Sequence, residues 1–530
     1  MRNLEHPGRS PVHSRHGMAC TSHTDASQTA LDVLKAGGNA LDAAIAACAM
    51  QCVVEPGSTG IGGDCFAMYA KGGSGQPIAY NGSGRAPAAA TVDALAALGV
   101  DKLERGSPHS VIIPGAVDAW AQLHADHGHM PFNELLQPAI NTARHGYALS
   151  SRVRYDLSRQ VDYLSQFPRT RDIFLDNGKL PAEGQVRQLP LLADALEAIA
   201  TQGRDVFYRG HLAQGMLDEL NERGGLHVAA DFANARGEYV TPIKGRFRDH
   251  DVYQCPPNGQ GVIALLMLNM MSKLSHQNLD LLSVERMHQE IETCRLAYRT
   301  RDRWLADPVH SDVPVDAMLG DAYAAALVAA IDPKKATVPP SDVDLPPHQD
   351  TVYIAVVDKD RNVCSFINTL FWIYGSGITS RDGITFTNRG MGFVLDPTSP
   401  NCIAPNKRPL HTIIPAMAMR DDRVELCFGV MGGEYQAMGH QQFLTRYFDY
   451  GCDIQEAMDM PRFMANPFTD EVEVESTVDQ ATCDALRAMG HNIVPADNPI
   501  GGSQAIAIDW QADVLTGGSD PRKDGCAAGY

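Results

Sequence analysis

The chain has 530 residues, 44% of them hydrophobic and 20% charged, with a formal net charge of −19 at pH 7. That charge disfavours nucleic acid and anionic membrane as partners, and an acidic substrate would need a locally basic pocket. Length alone suggests about three domains, and no apolar run is long enough to read as a membrane span.

The first 23 residues, "MRNLEHPGRSPVHSRHGMACTSH", lack the apolar centre of a secretory signal, so a cytoplasmic location is expected. An amphipathic helix is predicted over 25–36, with Leu31, Val33 and Leu34 apolar, Thr24 as N-cap and Gly37-Gly38 as the stop. An Ala-rich, mostly apolar helix follows over 40–53, suited to close packing. "VVEPGSTGIGGDCFAMYA" then reads as a glycine-rich loop leading into a strand, and helical patterns recur at 189–201 and 282–301. The stretch "IDPKKATVPPSDVDLPPHQD" at 331–350 is rich in Pro, Asp and Lys and reads as an exposed linker, where chains are readily cut.

The character changes at Thr351. "TVYIAVV", a five-residue polar turn and "VCSFINTL" predict a hairpin, and "GITFTN", "AMAMRDD" and "VELCFGVM" carry further strand signals. Strands that are apolar on both sides imply sheets covered on both faces.

Twelve cysteines are scattered without a CxxC, which suggests reduced, buried thiols; Cys48 and Cys52, four apart on a helix, read as structural rather than as a redox pair. His6, His13, His16 and His23 lack metal-ligand spacing and HExxH is absent, so neither a metal site nor a cofactor is expected. "GSTGIGGD" matches neither a P-loop nor GxGxxG, and there is no GxSxG elbow.

Seven blocks, in order, carry a family resemblance. They are "GGNALDAAIAACAMQCVVEPGSTGIGGDCF", "SVIIPGAVDAW", "ARHGYALS", "DTVYIAVVDKDRN", "APNKRPLHTIIPAM", "GVMGG" and "GSDPRKDGCAAGY". Together they resemble the γ-glutamyltranspeptidases. The resemblance implies an α+β fold, a four-layer αββα N-terminal nucleophile hydrolase sandwich. It also implies a proenzyme that cuts itself at Asp350–Thr351 into pieces 1–350 and 351–530, which stay together as one αββα domain. Thr351 then matches the nucleophile, Thr369 the Thr that hydrogen-bonds it, and Gly432 and Gly433 the oxyanion-hole pair. A freed α-amine with a pKa of about 8 supplies a base on the nucleophile's own residue, so no His–Asp pair is required.

Departures from the family bear on the substrate. An Asn that holds a γ-glutamyl group is replaced by Phe371, followed by Trp372. The Gln and Asp that grip an α-ammonium align with Arg389 and Gly392. A Ser pair after the "NKRPL" block is replaced by His411 and Thr412. The family's carboxylate-binding Arg is matched by Arg85, displaced by two residues from the strict alignment, where Ser83 falls. Glu434, beside the oxyanion pair, is expected to point away or to pair with Arg389 or Arg408. Arg85, Arg389, His411 and Thr412 are therefore the substrate-binding candidates. Anion binders without an ammonium binder suit a small anionic amide, a pattern that resembles the oxamate-hydrolysing branch of the family, which serves purine nitrogen breakdown. The alternatives are a cytoplasmic γ-glutamyl hydrolase or transpeptidase acting on glutathione-like amides, and a processed but inactive binding protein. Whether two-piece units form a homo-oligomer is left open by the sequence.

Overall fold

The computed structural model describes residues 8–275, 278–340 and 351–530. Asp350, His6 and the second half of the 331–350 linker lie outside the described residues.

Two seven-stranded sheets form the centre. In one, Cys526–Gly529, Met18–Thr21, Val352–Val357, Val363–Thr369, Asp64–Ala70, Ile78–Gly82 and Glu238–Val240 lie side by side in that order. In the other the order is Val12–Ser14, Val514–Ser519, Gly502–Asp509, Arg423–Met431, Ala416–Arg420, His250–Gln254 and Ile243–Phe247. Side-chain alternation explains the layering. Tyr353, Ala355 and Val357 point between the sheets, where they meet Met417, Cys427 and Ile506. Ile354 and Val356 point outward into a cluster with Leu41, Ile45 and Trp120. The second sheet turns Ala418, Leu426 and Phe428 outward onto Leu265, Leu268 and Phe443. Helices thus cover both outer faces, and the order is helix, sheet, sheet, helix.

Both sheets combine strands from before and after position 351, hydrogen-bonded side by side, so a cut there would leave two pieces sharing one core. The length-based expectation of about three domains gives way to this interleaving.

The predicted helices are present with shifted ends. The first spans Thr24–Lys35, and its N-cap is His23, whose ring nitrogen accepts from the Asp25 N–H, rather than Thr24. The second spans Ala40–Val54 with every residue buried, Cys48 and Cys52 included, and is capped by Asn39 and Asp42 acting reciprocally. The later pair spans Pro190–Gln202 and Val284–Trp304. "GITFTN" is not a strand; its backbone folds back on Ile378 and Ser376 around Gly375, Gly377 and Gly383, all at positive φ, and makes only an isolated bridge at Thr385. Among the described residues no helix is long and apolar enough to cross a membrane.

Candidate active site

The hairpin 352–369 builds the centre. Its register pairs Val352 with Asn368, which sets Thr351 opposite Thr369. Both are fully buried, and their hydroxyl oxygens are 3.3 Å apart. Thr369 Oγ also accepts from the Phe371 N–H at 2.9 Å, so its own proton can be given to Thr351 Oγ. The glycine-rich loop packs directly on this turn. Thr59 Oγ accepts from Asn368 Nδ2, and a side chain at Gly63 would place Cβ 2.1 Å from the Thr369 carbonyl oxygen. Only glycine fits there.

Gly432 and Gly433 follow the strand Arg423–Met431 and precede the helix Tyr435–Leu444. Their φ values are +122° and +56°. The Gly432 carbonyl accepts from Tyr435 N–H at 3.0 Å. Because a trans peptide points its N–H opposite to its C=O, the Gly433 N–H is directed away from the helix.

Glu434 is buried and pairs with Arg301, itself buried on the helix Val284–Trp304, rather than with Arg389 or Arg408. Arg408 is taken by Glu238. The Glu434 carboxylate is thereby turned out of any oxyanion site, although burial still holds its pKa above the usual carboxylate range. Removing it leaves Asp302 as the one carboxylate paired with Arg301 among the described residues. Glu434→Ala should therefore destabilise by about 3 kcal/mol, seen as a lowered thermal midpoint, with Glu434→Gln milder.

The four substrate-binding candidates divide in two. Arg389 and Thr412 lie together: Arg389 Nη1 donates to Thr412 Oγ at 3.1 Å. The Arg389 guanidinium also stacks 3.8 Å over the ring of Phe371. Phe371 adopts φ +79°, unusual for a bulky residue, and this turn brings its N–H to Thr369 and its ring to Arg389. Arg389 is fully buried, yet its Nε and Nη2 have no partner among the described residues. These two nitrogens form one edge of the guanidinium, the edge that grips a carboxylate through two parallel hydrogen bonds. Burial pushes the Arg389 pKa down to about 9, against the charges of Asp64 and Glu434, which hold it up.

Arg85 and His411 have other partners. Arg85 donates to the Asn406 carbonyl at 3.1 Å and lies 3.6 Å from Glu238 and 3.7 Å from Asp307, with its side chain 28% exposed. Its charge is already met by two carboxylates. His411 is buried, with Nε2 3.1 Å from Asp64 Oδ2 and Nδ1 accepting from Ile413 N–H. Burial and the Arg389 charge push its pKa well down, so it stays neutral with both ring nitrogens used.

Two residues that sequence reasoning missed organise the site. Asp64, which closes the glycine-rich loop, is paired in register with Thr369 and accepts from the Gly84 N–H and from His411. Burial raises its pKa to about 6, against Arg389, which lowers it. Gln260 joins the two halves by donating to the carbonyls of Thr412 and Gly433. Asp64 stands in the quoted "GIGGDCF" block and could have been flagged as the one acid beside the glycines. Gln260 carries no comparable signal.

A buried hydroxyl pair at a potential new N-terminus, a pair of positive-φ glycines at a strand end and a buried, half-unpaired guanidinium are the parts that acyl transfer from an amide requires. The chain matches the gamma-glutamyltranspeptidase family over residues 26–530. It is 35% identical to the glutathione hydrolase-like YwrD proenzyme of Bacillus subtilis, over 97% of this chain and 98% of the relative. It is 32% identical to the oxamate amidohydrolase proenzyme of Klebsiella pneumoniae, over 98% and 99%. The crystal structure of cephalosporin acylase from Bacillus halodurans superimposes with a TM-score of 0.93 at 35% identity, covering 100% of this chain and 99% of that one. The chain is a member of the gamma-glutamyltranspeptidase family, a self-processing N-terminal nucleophile amidohydrolase.

Proposed function

We propose that this enzyme hydrolyses small amide acids that lack an α-amine, with oxamate as the substrate: oxamate and water give oxalate and ammonia. The observation that carries the reading is the unpartnered Nε–Nη2 edge of buried Arg389, held in place by Thr412 and Phe371. A buried cation with two open donors is costly unless an anion fills the gap. An amino-acid ammonium would instead meet a like charge.

In this mechanism Thr351 becomes an N-terminus by cleavage of the Asp350–Thr351 bond. Its Oγ adds to the amide carbon while its α-amine takes the proton and Thr369 steadies the oxygen. The N–H groups of Gly432 and Gly433 hold the oxyanion. The amine then passes its proton to the leaving nitrogen and ammonia departs. Water, deprotonated by the same amine, hydrolyses the oxalyl ester on Thr351 and releases oxalate. Arg389 holds the substrate carboxylate, Thr412 positions Arg389, and His411 acts through Asp64 rather than on substrate. No cofactor takes part. All twelve cysteines are unpaired, in keeping with the reducing cytoplasm as the site of action.

A second reading, hydrolysis or transfer of γ-glutamyl amides, draws support from the 35% identical relative named for glutathione. Ammonia release from oxamate, set beside glutamine and γ-glutamyl-p-nitroanilide, separates the two. Oxamate should give the higher kcat/KM, and a γ-glutamyl preference would overturn the proposal while leaving the Thr351 chemistry in place. Arg85 supplies a further test. With its charge already matched, Arg85→Lys should change oxamate kcat/KM by less than about threefold, whereas a bidentate anchor would lose tenfold or more.

A further inference from the structure

A second cluster of chemical groups plays no part in that reaction. His288 and Glu292 stand one turn apart on the helix Val284–Trp304, and His491 follows Gly490, at φ +101°, just beyond the helix Gln480–Ala488. His288 and Glu292 are fully buried and His491 is 3% exposed. One ligand-capable atom from each lies within 4.8 Å of the others.

The protonation pattern follows from the neighbours. His288 Nε2 is 2.7 Å from the Asp332 carbonyl oxygen, which can only accept, so Nε2 carries the proton and Nδ1 presents a lone pair. That Nδ1 is 2.8 Å from His491 Nε2. His491 is buried too, and its other ring nitrogen, Nδ1, has no partner among the described residues. Glu292 Oε2 accepts from the Thr337 N–H, the Thr337 hydroxyl and the Val338 N–H. Its other oxygen, Oε1, is buried with no partner among the described residues. The nearby cation, Arg295, is tied to the carbonyls of Val338 and Asp470.

We propose that His288 Nδ1, His491 Nε2 and Glu292 Oε1 bind one divalent transition-metal ion of the zinc class. Two neutral imidazoles and a carboxylate are a ligand set that zinc accepts, with water in the remaining position. The backbone carbonyl on His288 Nε2 supplies the outer-shell contact that fixes a ligating imidazole. At Zn–N distances of about 2.0–2.1 Å, two tetrahedral nitrogen ligands stand roughly 3.3 Å apart, so the imidazole pair need open by only about half an ångström. The ion would also give the unbonded carboxylate oxygen a partner.

The location suggests what the ion would do. Two of these side chains, His288 and Glu292, hold the chain at Asp332, Thr337 and Val338, on the approach to the scissile bond. A metal there would brace the end of the large piece against the helix Val284–Trp304 and against the His491 turn, which belongs to the small piece. Its role is structural.

The test uses the purified, processed protein, stripped with a chelator and titrated with Co(II) and then Zn(II). One equivalent should bind, with the intense visible absorption of low-symmetry, four-coordinate Co(II), and Zn(II) should displace it and raise the thermal midpoint. Glu292→Gln should weaken binding by at least about tenfold, and His491→Ala should abolish the Co(II) spectrum while the circular dichroism stays unchanged. If wild type binds no stoichiometric ion, or if His491→Ala binds as well as wild type, the pair is a neutral His–His hydrogen bond and the proposal fails. The wild-type titration decides the matter even if a variant does not fold.

Discussion

Thr351→Ala is expected to remain a single 57.4 kDa chain and to lose amidase activity by at least about four orders of magnitude in kcat/KM. Both effects come from one oxygen atom. In processing, Thr351 Oγ would attack the carbonyl of Asp350, and in turnover it would attack the substrate amide. Alanine keeps the fold, because Thr351 sits at the end of a strand whose apolar residues face two packed layers without it. Thr351→Ser is the informative control, since it retains the hydroxyl and should still be cut. Thr369→Val removes the hydroxyl 3.3 Å away while keeping the side-chain shape, so it should slow both reactions without abolishing either. Gel electrophoresis reads the first effect and ammonia release the second.

Arg389→Met should lower oxamate kcat/KM by roughly hundredfold or more while leaving processing intact. Two hydrogen bonds from a buried guanidinium to a carboxylate are worth about 1.5–3 kcal/mol each, and Met supplies neither. The loss should fall mostly on KM if the carboxylate is held equally in ground and transition states. Arg389→Lys should recover only part of it, because an ammonium presents no planar edge to match the two oxygens. A variant with unchanged oxamate kinetics would move the anion site elsewhere, with Arg85 as the next residue to test.

The sequence exposed the parts of this fold that depend on local pattern. The hairpin after Thr351 was legible because its strands are short, apolar and joined by a polar turn, and its register follows from turn length. The buried Ala-rich helix announced itself through composition. What stayed hidden depends on contacts between distant segments. Nothing local distinguishes Arg85, which finds Glu238 and Asp307, from Arg389, which is left with an open edge. The partner of Glu434 proved to be Arg301, 133 residues away, which no neighbouring motif could indicate. "GITFTN" has strand composition, yet three positive-φ glycines bend it into a cover instead. His288 and His491 meet across 203 residues and so carried no metal-site spacing in the sequence.

The most direct test of the central claim is the N-terminal sequence of the small fragment of wild-type protein. Dividing 57.4 kDa in proportion to 350 and 180 residues gives fragments of about 38 and about 19 kDa, held together without a disulfide. The smaller should begin Thr-Val-Tyr-Ile-Ala, placing the nucleophile and its base on Thr351. A fully active enzyme that remains one uncut chain, or whose small fragment begins at another residue, would contradict the account.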